Sequence, residues 1–459
     1  MYHIHFNEPV HVHFIGIGGI SMSGLAEILL EEKFTVSGSD ARESELTRKL
    51  EQAGATVCYG HDKANIRPGT DLAVYTAAVH EDNPEYQAAL QGGIPMLSRA
   101  ELLGQIMNNY SQSAAIAGTH GKTTTTSMLT QILLAAKSDP TISVGGILPA
   151  IGGNIRVGHS EYFVTEACEY TNSFLHFYPK YSLILNIEED HLDFFKDLAD
   201  IRRSFRLFAE NTAEDGAVIL NAEIEHIKEL ADGLKPRVLT YGFDASCDFY
   251  AQDITYSPSG YAQFCIMHHG QKLCDAALSV HGRHNIGNAL AAAALAVQMG
   301  IPAGAVAQGL HAFHGTDRRF QYKGTLNGAD IIDDYAHHPT EITAALNAAA
   351  DYPHKRIICV FQPHTYSRTK AFLDGFAASL SAADIVVLAD IYPARETDNL
   401  GISSRDILSR LEEKGTECYY FPSFEQIEKF LLKNLMNGDL LITMGAGDIL
   451  NVGENLLRC

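Results

Sequence analysis

Residues 115–128 read AIAGTHGKTTTTSM, a short apolar run followed by glycines, a lysine and a row of threonines. The pattern predicts a buried strand that leads into a helix through a phosphate-binding loop. Gly118 and Gly121 free the backbone so that successive N–H groups can point toward phosphate oxygens. Lys122 can neutralise phosphate charge, and the hydroxyl of Thr123 can bind Mg²⁺.

This loop is shorter than the usual one. The common pattern GxxxxGK[ST] requires a glycine at position 116, where this chain has isoleucine. The residues alone therefore leave open whether the ligand is a nucleoside triphosphate. A Gly-Lys pair in an ordinary turn is the competing interpretation.

Length and composition narrow the class of protein. The chain has 459 residues, enough for about three domains of roughly 150 residues each. Its net charge of -21 argues against a nucleic-acid binder, which needs clustered lysine and arginine. The eight cysteines form no CxxC pair, so neither a disulfide framework nor a zinc site is expected. Without a signal peptide or a long apolar run, we expect a cytoplasmic protein with no membrane contact.

Strand-like and helix-like segments alternate along three parts of the chain. Short apolar runs at 11–15, 35–38 and 72–79 predict strands of a parallel sheet. Residues 247–280 alternate around a Pro-Ser-Gly turn, which favours a small antiparallel meander. We therefore predict an α/β protein with a Rossmann-like N-terminal domain, a central phosphate-loop domain whose sheet is mainly parallel, and a Rossmann-like C-terminal domain. The predicted boundaries are 1–109, 110–313 and 314–459.

A second glycine-rich turn, HFIGIGGISMSG at 13–24, lies between a predicted strand and a helix. Its glycines would allow close backbone approach to a diphosphate at the helix N-terminus. The dinucleotide pattern GxGxxG also needs glycine at position 21, where this chain has serine. Asp40 stands near the place of a ribose-binding acid. The residues leave three alternatives open: NAD, another diphosphate ligand, or a purely structural turn.

Acidic and polar side chains follow two further predicted strands: Glu166, Glu169, Asn186, Glu188, Asp190 and His191. The carboxyl ends of parallel strands meet at one edge of a sheet, where ligands bind. Oxygen donors beside a phosphate loop suit Mg²⁺. Helix capping or a solvated face is the alternative.

Five motifs in this order resemble the Mur ligases, the ATP-dependent amide ligases of peptidoglycan precursor synthesis: GTHGKTTTT (118–126), NIEEDH (186–191), GRHNIGNALAA (282–292), GTDRRFQ (315–321) and DDYAHHPTEI (333–342). The resemblance covers essentially the whole chain. In that family the phosphate loop reads GxxGK[ST], so the resemblance removes the need for a glycine at 116.

Further segments resemble the members that join L-alanine to UDP-N-acetylmuramate: HFIGIGGISMSG, EACEYTNSFLHFYP (166–179), FQPHTYSRT (361–369) and DIYPARE (390–396). The implied reaction runs through an acyl phosphate and a tetrahedral intermediate and releases ADP and phosphate. A sister ligase that attaches recycled wall tripeptide to the same UDP sugar is the main alternative. A dehydrogenase and a non-catalytic nucleotide-binding module are the others. A monomer or a homodimer is expected.

The resemblance also implies roles for individual residues. The UDP end of the sugar nucleotide would lie at Gly16, Gly18, Gly19, Ile20 and Asp40. ATP would lie at Gly118, Thr119, His120, Gly121, Lys122, Thr123, Thr124, His284, Asn285, Asn288, Arg319 and Asp334. Mg²⁺ would be bound by Thr123, Glu169 and His191. The alanine pocket would use Tyr335, His337, His364 and Arg368. Catalysis would depend on Lys122, His191, Arg319 and His337.

The chain departs from the family pattern at three places. Cys168-Glu169-Tyr170-Thr171 stands where many members have an Asp-Glu-Ser-Asp-like stretch, so only one of those acids is kept. Thr365 stands where some members have arginine, which leaves Arg368 to bind the alanine carboxylate. Related ligases carry a carbamylated lysine near the second metal, but the helix expected after His191 offers mostly arginines.

Hinges between the domains are expected near 108–113 and 312–318.

Overall fold

The computed structural model describes residues 2–76 and 78–458, which form three successive α/β units, each with its own sheet. The sheets lie within residues 11–98, 112–277 and 321–444. The predicted α/β class with three units is confirmed. The exact boundaries at 109/110 and 313/314 fall between the sheets and stay predictions. Met1, Ala77 and Cys459 lie outside the described residues.

The first unit is a five-stranded parallel sheet in the order β3-β2-β1-β4-β5. Its strands are β1 His11–Ile15, β2 Thr35–Asp40, β3 Thr56–Tyr59, β4 Leu72–Tyr75 and β5 Met96–Ser98. Its helices are α1 Ile20–Glu31, α2 Glu45–Gln52, α3 Pro84–Gln91 and α4 Arg99–Met107. The strand expected over 72–79 is thus shorter, and Ala77 of that range is not described. The strand order reverses beside β1, so the glycine-rich turn after β1 lies at the edge where such sheets bind ligands.

The middle unit has a ten-stranded sheet in the order β15-β14-β13-β12-β11-β10-β6-β9-β7-β8. Its strands are β6 Gln112–Ala117, β7 Thr141–Leu148, β8 Gly153–Arg156, β9 Tyr162–Ala167, β10 Tyr181–Ile184, β11 Ala217–Asn221, β12 Arg237–Gly242, β13 Phe249–Tyr256, β14 Ala262–His268 and β15 Gln271–Ala277. Its helices are α5 Lys122–Ala135, α6 Leu198–Glu210, α7 Ile227–Ala231, α8 Arg283–Gln298 and α9 Ala303–Ala312. The predicted meander is confirmed, because β13, β14 and β15 pair antiparallel.

The third unit has a six-stranded sheet in the order β16-β17-β21-β18-β19-β20, parallel except for the pair β16 and β17. Its strands are β16 Gln321–Leu326, β17 Ala329–Asp334, β18 Ile357–Phe361, β19 Ile385–Leu388, β20 Glu417–Tyr420 and β21 Leu440–Met444. Its helices are α10 Pro339–Ala350, α11 Tyr366–Ala371, α12 Leu373–Leu380, α13 Ser404–Glu413, α14 Phe424–Asn434 and α15 Leu450–Leu456.

Small residues bring the helices of the middle unit close to the phosphate-loop helix. The alanine run of α8 is fully buried from Ala289 to Ala296. At Gly309 of α9, an added Cβ would lie 2.3 Å from Cα of Ile132 in α5, well inside van der Waals contact. Glycine at 309 therefore lets α9 pack directly on the backbone of α5. This packing fixes the helix that carries the phosphate loop.

The first and middle units share one continuous apolar core, which includes Ile106, Phe163 and Phe205. Within the segment predicted as a hinge, Tyr110 is buried, lies 5.0 Å from the ring of Phe163 and donates a hydrogen bond to Thr141. The joint near 108–113 is therefore packed against both units. Across the described residues, no helix combines the length and the apolar character that a membrane span requires.

Candidate active site

The phosphate loop occupies residues 118–121, between β6 and α5. Gly118 and Gly121 have φ values of +145° and +86°, a region that favours glycine. An added Cβ would lie 2.8 Å from Cβ of Leu185 at the first glycine and 2.9 Å from Oδ1 of Asn288 at the second. The positive φ therefore favours glycine at both positions, and at Gly118 the neighbouring Leu185 also leaves no space for a side chain. The loop delivers Lys122 and Thr123 to the first turn of α5.

Lys122 is held by acceptors on three sides. Its Nζ donates to the carbonyl oxygens of Gly118 and Thr119 and lies 2.9 Å from Oε2 of Glu169. Burial lowers the pKa of Lys122, but the carboxylate of Glu169 outweighs this effect and the net pKa is raised. The lysine therefore carries a full positive charge beside the loop.

Glu166 receives two hydrogen bonds at the end of β9. The hydroxyl of Thr123 donates to Oε2 at 3.1 Å, and the backbone N–H of Gly145 donates to Oε1 at 2.5 Å. Burial raises the pKa of the Glu166 carboxyl. The sequence places this acid among the oxygen donors that suit Mg²⁺, without a role of its own. Glu166 orients the threonine hydroxyl that was predicted to bind Mg²⁺.

The predicted metal ligands lie near one another. Nε2 of His191 is 3.9 Å from Oε1 of Glu169, which itself is bound to Lys122. Together with Thr123 and Glu166, these side chains present mainly oxygen atoms next to the phosphate loop, and a buried carboxylate stands among them. Such a donor set fits Mg²⁺, which prefers oxygen ligands. Two arginines of α6 are directed away from these ligands. Arg202 and Arg206 donate to backbone carbonyl oxygens at 225–232.

A cavity of about 760 Å³ opens between the middle and third units beside the loop. Its volume is in the range of small-molecule sites. Eight of the residues expected at ATP line it: His120, Gly121, Thr124, His284, Asn285, Asn288, Arg319 and Asp334. An aromatic wall that the sequence did not reveal completes it: Tyr261, His281, Phe320 and Tyr352. These rings come from distant segments, so no local pattern could have grouped them.

Asp334 holds the backbone that carries two of the predicted residues. Its carboxyl accepts the N–H groups of Phe320 at 2.8 Å and Ala336 at 2.7 Å. Burial raises its pKa to about 6. The guanidinium of Arg319 lies 5.3 Å from the ring centroid of Tyr335, which is a cation–π distance. Asp334 therefore fixes the turn from which Arg319 and Tyr335 project.

The N-terminus of α10 contacts the phosphate loop. Nδ1 of His120 lies 3.1 Å from Oε1 of Glu341, and the hydroxyl of Thr340 donates to Oε2 of Glu188 at 2.5 Å. Burial lowers the pKa of His120, but Glu188 and Glu341 outweigh it and raise the pKa to about 9. Burial opposes ionisation of Glu341 too, yet His337, His120 and Arg319 hold its pKa well below its usual value. Glu341 and Thr340 are thus site residues without a predicted role, although both belong to the quoted motif DDYAHHPTEI.

The residues predicted for the alanine pocket also come together. The rings of His337 and His364 lie 5.7 Å apart, and Nη1 of Arg368 is 3.1 Å from Nδ1 of His364. Nδ1 of His337 lies 2.9 Å from the carbonyl oxygen of Tyr335. Burial lowers the pKa of His337 and lowers that of His364 to about 4. Both imidazoles are therefore mainly neutral near pH 7.

Arg368 already has a partner from the middle unit. Its Nε and Nη2 donate to Oδ1 of Asp190 at 3.2 and 2.8 Å. Burial would raise the pKa of Asp190, but Arg368 outweighs it and holds that pKa far below its usual value. This ion pair was not predicted, because it joins residues that are remote in the sequence. The ion pair fixes the third unit against the segment that follows β10 in the middle unit.

In the first unit, the glycine-rich turn is held by β2. The N–H groups of Gly16 and Ile17 both donate to the carbonyl oxygen of Ser39 at 2.9 Å. Gly18 donates its N–H to Oδ2 of Asp40 at 2.8 Å, so the acid expected at a ribose braces the turn itself. Gly19 directly precedes α1, and Ile20, its first residue, is exposed. The predicted diphosphate residues therefore surround one helix N-terminus.

Comparison with known proteins identifies the class. Three family models match in chain order: the Mur ligase family catalytic domain at 11–111, the Mur ligase middle domain at 116–296 and the Mur ligase glutamate ligase domain at 318–447. The chain belongs to the Mur ligase family, whose members are ATP-dependent ligases, and the predicted resemblance is confirmed.

Particular relatives narrow the comparison. The chain is 63% identical over 458 residues, covering 100% of each chain, to a UDP-N-acetylmuramate–L-alanine ligase from Agathobacter rectalis. A crystal structure of a UDP-N-acetylmuramate–alanine ligase from Thermotoga maritima superposes with a TM-score of 0.79 at 29% identity, over 98% of each chain. A murein peptide ligase from Psychrobacter arcticus superposes with a TM-score of 0.69 at 26% identity, again over 98% of each chain.

Proposed function

We propose that the protein ligates L-alanine to the lactyl carboxylate of UDP-N-acetylmuramate and converts ATP to ADP and phosphate. The product would be UDP-N-acetylmuramoyl-L-alanine, a peptidoglycan precursor. The observation that carries this proposal is the 63% identity, over the whole chain, to a ligase of that name. The murein peptide ligase is the less similar of the two structural relatives in both identity and TM-score, which disfavours the recycling alternative.

The chain's cations would make the first step feasible. A carboxylate is a poor electrophile, and its charge repels the γ-phosphate that must be transferred to it. Lys122 lies at the phosphate loop, and Arg319 lines the adjoining cavity from the third unit. Both can stabilise the charge that develops on the phosphoryl oxygens. Attack of the carboxylate oxygen on the γ-phosphorus then gives the acyl phosphate and ADP.

Thr123, Glu169 and His191 would hold Mg²⁺, with Glu166 orienting the threonine hydroxyl. When bound there, Mg²⁺ would supply positive charge that offsets the negative charge of the phosphates and the substrate carboxylate. Glu169 would then have two cationic partners, because Lys122 already contacts it at 2.9 Å.

The second step needs an uncharged amine. With Nδ1 of His337 directed at the carbonyl oxygen of Tyr335, its Nε2 is the nitrogen left to accept a proton from the alanine ammonium. The lowered pKa of His337 keeps the ring available as a base. Arg368 would bind the alanine carboxylate with its planar guanidinium. The amine then attacks the acyl phosphate, the tetrahedral intermediate collapses, and phosphate leaves.

The remaining substrate would bind in the first unit. The turn that carries Gly16, Gly18 and Gly19 would hold the diphosphate of the UDP sugar at the N-terminus of α1. The pool of ATP and UDP sugar that the reaction needs would place it in the cytoplasm. The protein would act as a monomer or a homodimer, with closure about the segment 312–318.

Phosphate release with ATP, Mg²⁺ and UDP-N-acetylmuramate tests the proposal when L-alanine is compared with the wall tripeptide L-Ala-γ-D-Glu-meso-diaminopimelate. We expect release with L-alanine and, by mass spectrometry, a nucleotide product heavier by one alanyl residue. Lys122→Ala serves as the inactive control. Release with the tripeptide alone would reassign the protein to wall recycling, and release with neither acceptor would refute the ligase reaction.

A further inference from the structure

Three side chains from two units meet at the side of the phosphate loop that faces α10. His120 belongs to the loop, Glu188 follows β10, and His338 directly precedes α10. One potential ligand atom from each residue lies within 4.8 Å of those of the other two. Two imidazoles and one carboxylate form the protein donor set of many zinc sites, in which water or substrate takes the fourth position.

The ring of His120 is oriented as a metal ligand would be. Its Nδ1 lies 3.1 Å from Oε1 of Glu341, and a metal-binding histidine commonly donates its other ring N–H to a carboxylate. Its Nε2 is buried and, among the described residues, has no hydrogen-bond partner. That nitrogen lies 3.5 Å from Oε2 of Glu188. Nε2 of His120 is therefore a potential metal ligand that faces the Glu188 carboxylate but forms no hydrogen bond with it.

The other two residues are also fixed by neighbours. Nε2 of His338 lies 3.1 Å from the carbonyl oxygen of Glu189, which leaves Nδ1 as the ligand atom; Nδ1 would exchange a long, 3.4 Å contact with the backbone nitrogen of Thr340 for the ion. The rings of His338 and His120 have centroids 4.8 Å apart. The hydroxyl of Thr340 orients the carboxylate of Glu188. A tetrahedral ion with zinc-like bond lengths separates its ligands by roughly 3.3–3.6 Å, so side-chain shifts of about 1 Å would complete the site.

We propose that His120, Glu188 and His338 bind a zinc-like divalent transition-metal ion. Two nitrogen donors disfavour Mg²⁺, which prefers oxygen, so this site differs from the one at Thr123 and Glu169. Binding releases any proton on the ligating nitrogens to solvent. Because the ligands come from both units, the ion holds α10 against the phosphate loop. If the ligase reaction proposed above is correct, an ion that prevents opening inhibits turnover even when Mg²⁺ is in excess.

Binding is tested on the full chain, without nucleotide and in excess Mg²⁺, by calorimetry with Zn²⁺ and by the absorption spectrum with Co²⁺. We expect one equivalent to bind and the Co²⁺ spectrum to show tetrahedral coordination. His338→Ala and Glu188→Gln should each weaken binding by at least about tenfold. The matched controls are His311→Ala and Glu189→Gln, which remove an exposed imidazole and the neighbouring exposed carboxylate.

Equal affinity in all five proteins, or no binding to the wild type, would overturn the site. Circular dichroism checks that each variant is folded. If His338→Ala does not fold, the affinity of Glu188→Gln and the wild-type Co²⁺ spectrum still decide whether the site binds metal. Phosphate release with added Zn²⁺ then tests the inhibition, with each variant compared with its own zinc-free rate. If only His338→Ala and Glu188→Gln resist inhibition by Zn²⁺, the proposed inhibition is supported. Equal inhibition of all the proteins refutes it. Loss of the zinc-free reaction in the wild type would refute the ligase proposal and leave the binding result unaffected.

Discussion

The ammonium nitrogen of Lys122 lies 2.9 Å from Oε2 of Glu169, a carboxylate that is 3% exposed. The pair connects the first turn of α5 with Glu169, which lies two residues after the end of β9. In this arrangement each charge satisfies the other. Phosphate oxygens bound at the loop, as proposed above, would share Lys122 with Glu169, so the phosphate loop and the proposed metal ligand would be coupled.

Replacing Lys122 with alanine should reduce turnover by about 10²-fold or more, because it removes a main stabiliser of phosphoryl charge. It should also lower the stability of the folded protein by about 3 kcal/mol, because Glu169 is left buried and unpaired. Steady-state phosphate release and chemical unfolding measure the two effects. Lys196→Ala, on an exposed loop, is the control. The double variant Lys122→Ala/Glu169→Gln should recover stability without recovering turnover; near-normal turnover in either would contradict the assignment of the loop.

Glu169→Gln should raise the Mg²⁺ concentration needed for half-maximal activity, because a neutral amide is a poorer ligand for a hard cation than a carboxylate. Mg²⁺ titrations at saturating ATP measure the change. Glu189→Gln, which changes an exposed acid in the loop after β10, should titrate like the wild type. A titration curve that is unchanged in Glu169→Gln would exclude this residue as a ligand.

Arg368→Lys should raise the KM for L-alanine by at least about tenfold and leave the KM for ATP nearly unchanged. A lysine keeps the charge but loses the planar fork that binds a carboxylate through two hydrogen bonds. Initial rates over both substrates separate the two constants. Arg405→Lys, an exposed arginine stacked on Tyr420, is the matched control. Equal rises in both KM values would indicate that the ion pair with Asp190 is structural rather than part of the alanine pocket.

The contact of His120 with Glu188 and Glu341 should make stability depend on pH. Its folded pKa of about 9 exceeds the ordinary value of 6.5. The pair of acids therefore contributes stability that is fully present below pH 6.5 and is lost as the pH rises through 9. The size is on the order of 3 kcal/mol. Thermal unfolding below and above this window measures it.

His120→Gln should flatten that decline, whereas His311→Gln, at an exposed position, should keep it. His338 also faces the ring of His120, at a centroid distance of 4.8 Å, but burial lowers its pKa to about 4, so it stays neutral across the window. An identical decline in His120→Gln and the wild type would show that the pH dependence arises elsewhere.

Glu85 should stabilise the first unit. This fully buried carboxylate accepts hydrogen bonds from His13 at 2.9 Å, Ser39 at 2.7 Å and Asn65 at 2.9 Å. Burial raises its pKa, but these bonds outweigh burial and the net pKa is lowered. Glu85→Ala leaves several buried donors unpaired, at about 1–3 kcal/mol each, so the apparent melting temperature should fall.

Since the carbonyl of Ser39 also holds the N–H groups of Gly16 and Ile17, the same variant should weaken binding of the UDP sugar. Calorimetry with UDP-N-acetylmuramate measures this, and Glu81→Ala, an exposed acid before α3, is the control. Unchanged affinity in a folded Glu85→Ala protein would separate the buried network from the glycine-rich turn.

Local features were predictable from the sequence because they depend on residues close together in the chain. The stretch AIAGTHGKTTTT contains the strand, the turn and the helix start, and Gly118 and Gly121 adopt the positive φ values that only glycine takes easily. The alternating residues of 247–280 likewise form the antiparallel meander, since pairing in a hairpin is decided by neighbours. The acids after β9 and β10, which flank β6 in the sheet, could be grouped because the carboxyl ends of parallel strands meet at one edge.

Only the tertiary structure decided the contacts between units. Glu341 meets His120 and Arg368 meets Asp190 across separations of 221 and 178 residues, and no periodicity relates such positions. The spacing of Asp40 predicts a ribose ligand, and only the fold shows that its carboxylate also accepts the N–H of Gly18. The sequence by itself therefore determined the class of fold, the phosphate loop and the family. The packing of three separate sheets decided which charges face one another, because the partners of a buried charge are set by the docking of distant surfaces.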